Sequence, residues 1–110
     1  MQLTIIEQQI AEILVEGAMQ KRTVTFKEIM TRLKIARRKL GDYLEHIGRK
    51  CQEFNLPIIT SIVVYTANNK VGKGYSIFEP DFVNNPQLAA DEQKRVWNNS
   101  EWGKLVTFIH

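Results

Sequence analysis

The chain has 110 residues, 44% of them hydrophobic and 25% charged, with a formal net charge of +3. That length suits one domain, residues 1–110, built round one core, and is too short for two. A single cysteine, Cys51, rules out an internal disulfide and a zinc site built on several thiolates, which predicts a reduced, cytoplasmic protein.

No apolar run reaches the length of a membrane span, and Met1-Gln2-Leu3-Thr4 lacks the basic start and apolar stretch of a signal peptide. No membrane partner is therefore expected. The charge is unevenly spread. Residues 1–33 balance, with Lys21, Arg22, Lys27 and Arg32 against Glu7, Glu12, Glu16 and Glu28. Residues 34–78 set eight cations against Asp42, Glu45 and Glu53, whereas residues 79–110 are net acidic. A basic middle third says more about a partner than the total charge does.

In chain order, Thr4-Ile5-Ile6-Glu7 has the form of a capping box, in which threonine and glutamate each satisfy the other's free backbone N–H. Ile6, Ile10, Ile13, Leu14 and Ala18 then share one face, predicting a helix from about Ile5 to Met19. Thr25-Phe26-Lys27-Glu28 is a second box, preceded by a short extended stretch at Val24 and Thr25. Phe26, Ile29, Met30 and Leu33 supply two amphipathic turns after it. A third helix carries Leu40, Tyr43, Leu44, Ile47, Cys51 and Phe54 on one stripe. It is expected to stop at Asn55-Leu56-Pro57, where asparagine takes the left-handed position and proline refuses to continue. Its start is unmarked: no Ser, Thr, Asp or Asn lies between Leu33 and Leu40, which leaves open a helix continuous with the second.

Ile58 to Tyr65 is rich in β-branched residues and reads as a strand. Thr66 to Gly74 is a turn region, and Tyr75-Ser76-Ile77-Phe78 returns as a second strand, giving a hairpin with a basic tip. Asn85-Pro86 opens a last helix carrying Leu88, Ala89, Val96 and Trp97, followed by an apolar tail of Trp102, Leu105 and Phe108. Helix, helix, helix, hairpin, helix is the order of a winged helix. The expected class is therefore α+β and winged-helix-like, with three helices followed by a β-hairpin wing and a C-terminal helix.

Residues for catalysis are sparse. Cys51 lies on an apolar stripe, His46 on the polar side of the same helix, and His110 is the last residue. Two histidines make a poor metal site, and Gly72-Lys73-Gly74 lacks the spacing of a phosphate-cradling loop. The chain is read as non-enzymatic, with no cofactor.

The cations are more informative. If the third helix starts near Ala36, then Arg37, Arg38 and Lys39 crowd its first turn, where the macrodipole favours acids. Arg38 with Asp42, and Glu45 with Arg49, are i,i+4 pairs typical of a solvated face. Lys34, Arg37 and Lys39 have no acid four residues away. A phosphate would turn that unfavourable placement into a favourable one, meeting amides and cations together. Lys70 and Lys73 at the hairpin tip, beside Asn68 and Asn69, suit sequence-blind contacts to a phosphate backbone. The candidate DNA-binding residues are thus Lys34, Arg37, Arg38, Lys39, Arg49, Lys70 and Lys73, with double-stranded DNA as partner, as for a phage or mobile-element regulator. The rival reading is a small protein-interaction module, such as a phage-encoded inhibitor of a host nuclease or regulator. There the acidic last helix, Trp97 and Trp102 would form the interface, or that helix and tail a homodimer.

Several motifs together support a resemblance. They are Val24-Thr25-Phe26-Lys27-Glu28, Leu56-Pro57-Ile58-Ile59-Thr60, Val63-Val64, Gly72-Lys73-Gly74-Tyr75 and the acidic stretch from Glu92 to Trp102. With these the chain resembles small bacterial and prophage domains whose Leu-Pro-Pro-Leu-Thr segment leads to a Leu-Val-Val strand and a hairpin closed by Gly-x-Gly-aromatic. The resemblance covers residues 24 to 105 and implies a winged-helix-like, DNA-associated role. Here Ile58 replaces the second proline, and Val71-Gly72-Lys73 replaces a Pro-Gly step. The Val-Thr-aromatic start is also similar to the winged-helix part of DNA alkyltransferases, but their Pro-Cys-His-Arg motif is missing, and Lys50-Cys51-Gln52 cannot replace it.

Overall fold

The computed structural model describes residues 4–65, 78, 79, 81, 85–99 and 102. Helix α1 (Ile5–Met19) opens on a complete capping box: Thr4 Oγ1 accepts from the Glu7 N–H at 3.3 Å, and Glu7 Oε1 accepts from the Thr4 N–H at 2.8 Å. Ile10, Ala11, Ile13, Leu14, Val15 and Ala18 of α1 are buried, and the other helices pack on it.

After α1 come β1 (Val24–Thr25) and α2 (Phe26–Leu33). Bare backbone at Gly17 lets α1 approach β1, since a Cβ there would lie 2.7 Å from a Val24 methyl. Only half of the second capping box forms. Thr25 Oγ1 accepts from the Glu28 N–H at 3.0 Å, but the Glu28 carboxylate turns to Arg22 at 3.4 Å and Arg32 at 3.7 Å. Two guanidiniums offer that carboxylate more than one backbone N–H does.

Helices two and three are separate. Lys34 caps α2 in the left-handed conformation (φ 55°), the Ile35 N–H closes on the Met30 carbonyl at 3.2 Å, and Ala36 is extended. Helix α3 (Arg37–Glu53) starts anew without a side-chain cap, because alanine has no acceptor to offer. It stops as its sequence predicts. Asn55 takes φ 56°, and the Leu56 N–H donates to the Cys51 carbonyl at 2.8 Å.

Ile58 to Tyr65 is not one strand. Ile59–Ile62 forms a 3₁₀ turn, and only Val63–Val64 (β2) is a strand. The 3₁₀ residues are buried between α1, α3 and the last helix (Pro86–Asn98), so no in–out alternation is imposed on them. The Ile58 N–H donates to the Glu92 carboxylate at 2.6 Å and not to a neighbouring strand. β2 pairs in parallel with β1, Val24 opposite Val63 and Thr25 opposite Val64. Both valines of β2 are buried, as suits parallel pairing inside a core.

Helix α4 (Pro86–Asn98) begins with proline at its first turn, and Asn85 Oδ1 accepts from the Gln87 N–H at 3.2 Å. Among the described residues the protein is mostly helical, with four α-helices and a small two-stranded parallel sheet, compatible with the α+β class. The hairpin tip at 66–74, with Lys70 and Lys73, and the returning strand at Tyr75-Ser76-Ile77 lie outside the described residues. So do Leu105 and Phe108 of the tail. Phe78 lies in a turn and packs over Gly48 of α3. Among the described residues no helix is long and apolar enough to cross a membrane.

Candidate functional site

The break between α2 and α3 gathers four of the candidate cations. Lys34, Arg37, Arg38 and Lys39 are all exposed, and among the described residues none has an ion-pair partner. Arg37, Arg38 and Lys39 occupy the first turn of α3, which contains no acid. Free backbone N–H groups and three cations therefore coincide, and the local potential is positive. Lys34 is placed differently from its sequence reading. It caps α2, where a cation meets the negative end of the helix and is stabilised by the fold itself.

Arg37 is oriented from outside its own helix. Its guanidinium lies over the Tyr65 ring, 5.2 Å from the centroid, and Tyr65 stacks on Phe26 at 4.9 Å with an interplanar angle of 26°. Rings from α2 and from the end of β2 thus hold the start of α3. A cation over an aromatic face gains about 0.5–1 kcal/mol at an exposed site, enough to favour one orientation. The sequence places Tyr65 only at the end of a β-branched run; its stacking on Phe26 and its contact with Arg37 carry no sequence signal.

Arg38 and Asp42 form no ion pair with each other, although their spacing allows one. Both are exposed. Arg49 stands apart from the junction, on the C-terminal half of α3. Its guanidinium binds Glu45 at 3.0 Å and lies 5.9 Å from the centroid of Phe78. Lys70 and Lys73 are outside the described residues; Tyr65, the last described residue before them, lies beside Arg37.

The remaining chemical groups are spent inside the fold. Cys51 is fully buried, and burial pushes its thiol up to about 12. Glu7 is buried to 2% exposure and accepts from the Thr4 N–H, the Thr4 hydroxyl at 3.1 Å and the half-exposed His46 through Nδ1. That contact ties α1 to the middle of α3. Glu92 is also buried and accepts from the Ile58 N–H and from Arg95. Trp102 is 2% exposed, with its indole N–H on the Val96 carbonyl at 3.0 Å, so it is a core residue and not an exposed anchor for a partner. Trp97 is partly buried and donates to the Arg22 carbonyl at 3.2 Å. Among the described residues no group of three or more His, Cys, Asp or Glu side chains converges as metal ligands would.

No protein-family model, curated protein or solved structure matches this chain.

Proposed function

We propose that this chain is a non-enzymatic, winged-helix-like protein that binds double-stranded DNA through the α2–α3 junction. The observation that carries the reading is the cluster of Lys34, Arg37, Arg38 and Lys39. Four exposed cations, without carboxylate partners among the described residues, lie within six positions of the chain at an uncapped helix start. Three of them sit where the helix itself disfavours positive charge, and a phosphate reverses that sign. Arg37 and Arg38 engage phosphates or base edges where α3 meets the major groove, while Lys34 and Lys39 grip the flanking backbone. Lys70 and Lys73, the candidate wing lysines, grip the adjacent backbone.

The test is binding of a labelled random-sequence duplex, followed by fluorescence anisotropy. The Arg37→Glu, Arg38→Glu double variant is expected to lose binding while keeping the circular dichroism and thermal midpoint of the wild type. A wild-type chain that ignores duplex DNA at low salt, or a double variant that binds it as well, contradicts the reading.

A further inference from the structure

Glu7 is a carboxylate sunk into the fold and aimed at one ring atom. It is 2% exposed, its Oε1 accepts from the Thr4 N–H and hydroxyl, and its Oε2 lies 2.5 Å from His46 Nδ1. The capping box needs only the first of those oxygens. The second is used on a residue 39 positions away, on another helix. A carboxylate can only accept, so the hydrogen of that bond is carried by Nδ1, and the lone pair of the neutral ring is on Nε2.

The imidazole itself is 41% exposed. A buried acid thus fixes the tautomer and holds the ring by one nitrogen, while the other is left as a base and nucleophile. That is how a carboxylate activates an imidazole. Arg49 and Lys50, three and four residues on, are its neighbours on the surface of α3. Each holds a glutamate, Glu45 and Glu53, and each keeps further donors for an added anion. Asp42, four residues back, is exposed, so its repulsion is screened by water.

We infer that His46 is a phosphoryl-acceptor site, modified at Nε2 by a donor of the phosphoramidate class, to which phosphohistidine on another protein belongs. The Nε2 lone pair forms the new bond to phosphorus. The donor's N–P bond breaks, and its protonated nitrogen departs with that electron pair as a neutral amine. The ring keeps its Nδ1 proton and becomes cationic, and the Glu7 carboxylate balances that charge. The site is independent of the duplex reading.

The experiment incubates the full chain with potassium phosphoramidate at neutral pH. Intact mass and peptide mapping follow the adduct, and phosphorus NMR separates Nε2 from Nδ1 phosphohistidine. His110, the other histidine of the chain, is the internal reference. Wild type is expected to take a phosphoryl group at His46 on Nε2 alone, about tenfold faster than at His110, and His46→Gln to lose that adduct. Glu7→Gln keeps a residue type that completes a capping box, and is expected to slow modification of His46 about tenfold in a folded chain. Modification on Nδ1, or a rate at His46 no greater than at His110, overturns the inference, and both are read on the wild type even if Glu7→Gln fails to fold. A folded Glu7→Gln that reacts at the wild-type rate overturns it too, because the buried carboxylate would then be a structural tie alone.

Discussion

Replacing Glu92 by alanine should reveal how α4 is fastened to the core. The carboxylate is 8% exposed and takes the Ile58 N–H at 2.6 Å, where the chain leaves α3 for the 3₁₀ turn. Alanine removes a charge-assisted bond and leaves a buried N–H without its acceptor. A hydrogen bond to a charged group contributes about 1.5–3 kcal/mol, and an orphaned buried donor costs a similar amount, so the net loss expected is about 2–3 kcal/mol. The Arg95 contacts add little, because that side chain is 61% exposed and its charge is screened by water. Glutamine keeps an acceptor oxygen for the N–H and should lose only about 1 kcal/mol. Urea unfolding at neutral pH, with thermal melts beside it, gives the order wild type, Glu92→Gln, Glu92→Ala. If alanine and wild type unfold together, the bond to Ile58 does not hold the helix and the reasoning fails.

Burial raises the Cys51 thiol from 9.0 to about 12, which makes the protonated thiol part of the folded state. Its contribution is complete below the unfolded value and is lost as pH rises toward the folded one. The stability of wild type relative to Cys51→Ala should therefore shrink by roughly 1 kcal/mol between about pH 7 and about pH 10, and a gap that stays constant in paired urea titrations contradicts it. Trp102→Ala should lower the stability of the isolated chain by about 3–5 kcal/mol, the usual cost of emptying a site of that size. An unchanged thermal midpoint would contradict the indole's place in the core.

Much of the local structure was legible because its causes are local. Thr4 and Glu7 lie three residues apart, Asn85-Pro86 writes its helix start in two residues, and Asn55 before Leu56-Pro57 marks where α3 ends. The errors came from contacts across the chain. β-branched residues at Ile58 to Ile62 read as strand, yet burial on all sides and a carboxylate 34 positions away shape them into a 3₁₀ turn. Glu7 is legible as a capping acid, but its burial beside His46, 39 positions on, has no local signal. At the candidate site, the cluster itself was visible as four cations in six residues. The stacking of Arg37 on Tyr65 was not, nor was the closure of α2 at Lys34, because neither leaves a trace in periodicity.

The most direct test of the account is the salt dependence of duplex binding. If Lys34, Arg37, Arg38, Lys39, Lys70 and Lys73 each neutralise one phosphate, log K should fall against log salt with a slope of about −5. Affinity should then drop roughly 1,000-fold between about 50 and 200 mM salt. Reversing Arg37 and Arg38 should make that slope shallower by about 2, along with the loss of affinity. A slope near zero, or one that the double variant leaves as steep as before, contradicts the assignment of these side chains to a phosphate backbone.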